Sequence, residues 1–540
     1  MHNLSAAGPG ALRAPGEAQV CVFCHAPHST QGMRPLWNRD TPTATYRIYE
    51  SSTLDAQPRQ PTGASKLCLS CHDGTIALGS VLSRGDRIRM NSGEFMPAGM
   101  ANLGTDLSDD HPISFPYDPG LAVRDRQLAA PWELPPEVTL DGALELQCTT
   151  CHDAHNDVYG DFLVMEPRDG ALCRACHRLG GWATSSHGLS RAPIGAVQTV
   201  EWEYPSMSEN ACAICHRAHT AGGHDRLLIF EKEEDNCLLC HGGGVGGANL
   251  RSELRKRSAH DPSRYQDLHD PLESGAGRAA HVECSDCHNP HAAEEPPPRG
   301  TGAFLPIGGT LRKVIGVNSV GAAVPEAMYE YEVCFRCHGD SPVQIRHRPQ
   351  RQCDTDNIRL KFSPTNPSFH PVVTSSPSTT TVSLVPGLSP GTMVRCSDCH
   401  NNDEGPGAGG AGPDGPHGSI HAFLLERNYT TDDNVPESPF EYALCYKCHR
   451  RSSIANDESF PLHKLHVMDA RAPCAACHDA HGVSPTAASG SDHTHLINFD
   501  TVIVQPESST GAMEFRDRGR LAGSCTLVCH GVTHLEAEYD

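Results

Sequence analysis

The chain has 540 residues, with 43 Lys and Arg against 65 Asp and Glu, and a formal charge of −22 with histidine neutral. That balance excludes a basic nucleic-acid-binding surface, and no run of about 18 apolar residues is present to cross a membrane as a helix. Aromatics make up only 6%, while 50 Gly and 42 Pro interrupt regular structure. Large conventional cores are therefore excluded too, and this composition alone would read as disorder.

Taken in chain order, one five-residue pattern contradicts that reading. Cys-x-x-Cys-His occurs as Cys21, Cys24, His25; Cys68, Cys71, His72; Cys148, Cys151, His152; and Cys173, Cys176, His177. It continues as Cys212, Cys215, His216; Cys237, Cys240, His241; Cys284, Cys287, His288; and Cys334, Cys337, His338. The last strict copies are Cys396, Cys399, His400; Cys445, Cys448, His449; and Cys474, Cys477, His478. A twelfth, with one extra spacer, is Cys525, Cys529, His530. Composition predicts fewer than one chance match, against eleven strict ones observed. The pattern is the attachment signature of c-type haem. Its two thiols add to the haem vinyl groups, and the adjacent imidazole is left beneath the iron. Zinc knuckles would not require the following His, and a thioredoxin-like pair would need one copy rather than twelve. Of 25 cysteines only Cys353 stands outside the pattern, and a free thiol is expected there.

The motifs fall into six doublets, beginning at 21/68, 148/173, 212/237, 284/334, 396/445 and 474/525. Most first members carry a second His three residues on: His28, His155, His219, His291 and His481. Residues three apart share a helical face. A His already tethered to its own haem from below leaves this second His to reach the far side of a neighbouring haem's iron. The ninth motif breaks the rule with Asp403. To complete two axial imidazoles on every iron, the sequence further favours His2, His111, His187, His260, His281, His370, His417 and His466. His269, His347, His421, His463, His493, His495 and His534 stand in reserve.

Twelve haems would mean one per 45 residues, so the porphyrins must supply much of the buried apolar surface. The expected fold is mostly irregular coil, with short α-helices at each attachment site and few strands, wrapped around a closely packed haem array. A strand or two is expected within 365–385. Loops are expected at Pro296 to Pro298, around 373–390, and in the glycine-rich piece 404–418. Repeated modules should run 1–147, 148–283, 284–395, 396–473 and 474–540, as parts of one continuous array. The start is not a secretory signal; since haem c is attached outside the cytoplasmic membrane, export with a removed leader is expected.

These features resemble the multihaem c-type cytochromes with doubled Cys-x-x-Cys-His motifs, found in metal-reducing and related bacteria. The pairing, the Cys-x-x-Cys-His-x-x-His form and the opening stretch CVFCHAPHSTQGMRPLW carry the likeness. The resemblance implies an electron carrier with covalent haem c, working at the cell surface or beyond, with the periplasm as alternative. It also implies homopolymerisation into a conductive filament as one arrangement, with redox proteins or extracellular metals as partners. A shuttle, or a reductase with one open iron, are the competing functions; no motif here replaces its His with Lys.

Overall fold

The computed structural model describes the chain except residues 1, 29–35, 196, 198, 199, 201, 224, 266–280, 296–306, 341–348, 356, 377–380 and 485–491. His269, His347 and the expected loop at Pro296 to Pro298 lie outside the described residues. Two compact units are present, one built from the residues up to Cys240 and the other mostly from His241 to Asp540.

Irregular backbone dominates both units, with short helices and small sheets. Three second members sit at the ends of longer helices, Gly63–His72, Glu233–His241 and Glu330–His338, whereas Cys173 and Cys445 lie in the shorter Ala171–Cys176 and Ala443–Tyr446. Acidic residues open Glu233–His241 and Glu330–His338, at the end where the helix dipole favours negative charge. First members occupy a single turn, as in Cys148–Cys151, Cys284–Cys287 and Cys474–Cys477. At two of these turns a spacer side chain caps the entry: Glu283 N donates to Asp286 Oδ2 (2.8 Å) and Gln147 N to Thr150 Oγ1 (3.1 Å).

The twelfth motif differs. Cys525 and Cys529 lie on the strand Gly523–Cys529, at the centre of a four-stranded antiparallel sheet. Val532–Tyr539 takes one edge; Glu514–Asp517 and Val504–Gln505 share the other. The expectation of a helix at every attachment site is corrected here: Thr526, Leu527 and Val528 make the run β-prone. No strand is found among the described residues of 365–385; that stretch is turns and coil.

Apolar packing is divided into small clusters rather than one core. Tyr331, Phe335, Phe362, Phe369, Val372 and Val373 form one, against which Cys396 packs. Ile497, Phe499, Val504, Phe515 and Leu527 form another, joined by Cys477, Cys525 and Cys529. Among the described residues no helix is long and apolar enough to cross a membrane.

Candidate functional site: paired imidazoles beside the attachment cysteines

Each helical attachment motif is one turn closed by an i→i−4 bond. His152 N donates to Cys148 O (3.0 Å), His400 N to Cys396 O (2.8 Å) and His478 N to Cys474 O (2.9 Å). At this spacing the two cysteines and the His share one face of the turn.

A second repeated device lies just beyond most first members. The backbone returns beside the motif His and pairs with it, as His25 with Trp37, His152 with Leu163, His216 with Leu228, His400 with Leu425 and His478 with Ile497. The return is made by left-handed residues: Asp161 and Phe162, Arg226 and Leu227, Phe423 and Leu424, His495 and Leu496, and Leu36 in the first motif. Their conformation turns a carbonyl onto the imidazole. His152, His216, His400 and His478 donate Nδ1–H to the carbonyls of Asp161, Arg226, Phe423 and His495 at 2.7 to 2.9 Å. The next carbonyl accepts from the residue after the motif, as Phe162 O does from Asp153 N (2.7 Å). Motif spacing alone does not reveal this clamp. Its signal is a large apolar pair (Phe162-Leu163, Leu227-Leu228, Leu424-Leu425, Leu496-Ile497), hidden because its distance from the motif varies.

Fixing Nδ1 on a carbonyl selects the tautomer with Nε2 open. The imidazole rings stand in pairs. Ring centroids are 6.1 Å apart for His25–His155, His152–His219, His2–His72 and His260–His338. They are 6.3 Å apart for His111–His177, 5.9 Å for His288–His417 and 6.0 Å for His400–His481. His370–His449 and His463–His478 stand at 6.4 Å. An imidazole nitrogen binds a first-row metal at about 2 Å, which places the ring centre about 3 Å from the ion and two opposed rings about 6 Å apart. The pairs therefore fit a metal held axially from both sides, as in a bis-imidazole haem. A zinc knuckle needs a convergent group of ligands, and none of three or more such side chains occurs among the described residues.

The electrostatics agree with neutral ligands. Burial, reinforced by the facing ring, pushes the pKa of His177, His338, His449 and His478 down to about 4, and that of His417 and His481 to about 3. His219 is the exception. Burial opposes its protonation, but the bond and charge of Asp110 (3.0 Å from Nδ1) outweigh it and raise its pKa.

The facing partners follow a rule. A first-member His meets the extra His of the next doublet: His25 meets His155, His152 meets His219 and His400 meets His481. His288 meets His417, which takes the place left empty by Asp403. Second-member histidines meet residues upstream: His2, His111, His260 and His370. His463, held in reserve, faces His478, and His534, also in reserve, stands 6.3 Å from His466. His530 is not in that pair; its Nε2 is bonded to Asp433 (2.8 Å). His281 packs edge-on to Tyr265, His187 lies on the turn Ser186–Leu189, His28 is exposed, and His291 follows the Cys284 turn. His493, whose Nδ1 donates to Ile497 O, has Nε2 3.7 Å from Cys353 Sγ.

The cysteines link one site to the next. Second cysteines approach each other within doublets: Cys24 and Cys71, Cys151 and Cys176, Cys215 and Cys240, Cys399 and Cys448, Cys477 and Cys529. First cysteines approach each other between doublets: Cys68 and Cys148, Cys173 and Cys212, Cys334 and Cys396, Cys445 and Cys474. Cys287 lies near Cys334 and Cys337. Within each unit, every site thus adjoins the one before and the one after it in the chain.

Two comparisons agree. The family described as "Doubled CXXCH motif" matches residues 143–179 and 205–246, the second and third doublets. The multiheme cytochrome MtrA of Shewanella baltica (strain OS185) is 25% identical over 162 residues, which span 27% of this chain and 36% of that protein. Repeated attachment motifs, opposed imidazoles and these likenesses define a multihaem c-type cytochrome. Electron transfer is the chemistry of that class.

Proposed function

We propose that the chain is a dodecahaem cytochrome that relays electrons from haem to haem in chain order, outside the cytoplasmic membrane. The observation that carries this reading is the alternation of cysteine contacts, second with second and first with first. Within each unit it brings an attachment site near the next, as short electron transfers require. Iron between two imidazoles exchanges one electron without changing ligands, and the protein sets its potential through burial, charge and hydrogen bonds. The chain's own contribution is to hold rings such as His152, His216, His400 and His478 by a carbonyl, with Nε2 left open, and to keep most of the buried rings neutral.

Mass spectrometry and pyridine haemochrome assay of protein from a haem c-maturing host test the reading. Twelve haems, with a ferric spectrum almost wholly low-spin, are expected. A count well below twelve rejects the dodecahaem. A large high-spin fraction would favour the reductase. The finer arrangement, a filament with haem contact between copies, is supported by the resemblance; electron microscopy of native protein tests it, and dispersed monomers at every concentration reject it.

A further inference from the structure

The twelfth motif reads Cys525-Thr-Leu-Val-Cys529-His530, and its extra spacer changes the geometry of attachment. On a helical turn, Cys-x-x-Cys-His places both thiols and the imidazole on one face. On a strand, side chains alternate between faces. Cys525, Leu527 and Cys529 then share a face, and the residue after Cys529 leaves it. His530 and Gly531 form the two-residue hairpin turn between Gly523–Cys529 and Val532–Tyr539, both with positive φ (50° and 74°), the type I′ geometry. His530 is held there by both oxygens of Asp433, at 2.8 and 3.0 Å from its Nε2, the nitrogen an attachment-motif His offers to iron.

His534 occupies the position that His530 leaves. It lies directly across the hairpin from Leu527, midway between the two cysteines, and cross-strand partners point to the same face. The register sets Cys525 opposite Ala537, so Thr526 alone faces Leu535 and Glu536. The irregularity therefore falls on the partner strand, where Glu536 is left-handed (φ 47°), and the alternation of the cysteine strand is intact. The His534 ring stands 6.3 Å from that of His466, within the spacing of the other facing pairs. His466 donates Nδ1–H to Leu462 O (2.7 Å), as the clamped imidazoles do, and leaves Nε2 open. Phe460 packs against both His466 and Tyr539, fixing this segment to the sheet. His463, three residues before His466, faces His478, so one turn serves the last two sites.

We propose that the haem attached through Cys525 and Cys529 is ligated by His466 and His534, and that His530 is a hairpin residue tied to Asp433. This rests on the dodecahaem reading. Peptide mapping of the holoprotein separates the two: absence of haem on the 525–529 peptide removes the reading itself, and with it the site. With that haem present, His534→Met, which leaves the attachment sequence intact, should convert one haem in twelve to His/Met ligation. A thioether-to-iron charge-transfer band and one raised midpoint potential would show it. Asp433→Asn should leave every haem spectrum unchanged. Wild-type spectra for His534→Met, or a shifted haem in Asp433→Asn, overturn the assignment. Diethyl pyrocarbonate footprinting of the unmutated holoprotein gives the same decision without a variant: His530 is labelled and His534 protected, whereas labelled His534 overturns it.

Discussion

Asp110 acts on a proposed iron ligand from behind. Its carboxylate accepts from His219 Nδ1 and would make that imidazole a stronger donor to iron, which stabilises the ferric state. Asp110→Asn should therefore raise the potential of one haem, read by spectroelectrochemistry, with haem count unchanged. His417 tests the pairing from the other side. His417→Ala leaves His288 without an opposed ring, and one haem in twelve should become high-spin by electron paramagnetic resonance and bind carbon monoxide when ferrous. A third prediction concerns pH. Glu437 accepts from Arg451 and Tyr446, and the Arg451 bond chief among them holds its carboxyl below the usual value of 4.5. A depressed carboxylate contributes stability that is complete above the unfolded pKa and is lost as pH falls through the folded one. Thermal melts should lose stability below about pH 4.5, and Glu437→Gln should remove a small part of that loss, since the pair is partly exposed and screened.

At the scale of the element, the clamp sets its own backbone requirement. Asp161 is left-handed (φ 47°) and exposed, and its functional atom is its carbonyl. A left-handed L-residue costs about 1–2 kcal/mol. Asp161→Gly should hold stability within about 1 kcal/mol of wild type or improve it, with the His152 site unchanged. Asp161→Val, branched at Cβ, should lower the melting temperature. Equal melts for the two variants would mean that the turn bears no strain. The clamp was not legible from spacing, because the return reaches His152 after 9 residues and His400 after 23. A longer loop costs only slightly more closure entropy, so insertions accumulate there without disturbing the site.

Across the whole molecule, the apolar clusters are small and border the cysteines. The attached porphyrins should supply the missing buried surface. The chain made in a cytoplasm that attaches no haem should show a coil-like far-ultraviolet spectrum and no cooperative melt. A cooperative apo transition would show that the polypeptide clusters suffice. Coil with short helices was legible from Gly, Pro and the attachment turns, whereas the C-terminal sheet was not. Its central strand contains a cysteine pair that elsewhere marks a helix, and only pairing with Glu514–Asp517 and Val532–Tyr539 makes it a strand.

The sequence by itself marked the twelve motifs at which haem attachment is proposed, because that chemistry is written in a few contiguous residues. It also supplied the surplus of histidine, and in most first members the extra imidazole at a fixed offset. Only the tertiary structure decided which ring faces which. Opposed imidazoles come from segments far apart in the chain, as His25 with His155 and His288 with His417, and no local pattern encodes that meeting. It also decided the backbone of the last motif: Cys525 and Cys529 lie on a strand rather than a helical turn because neighbouring strands pair with it.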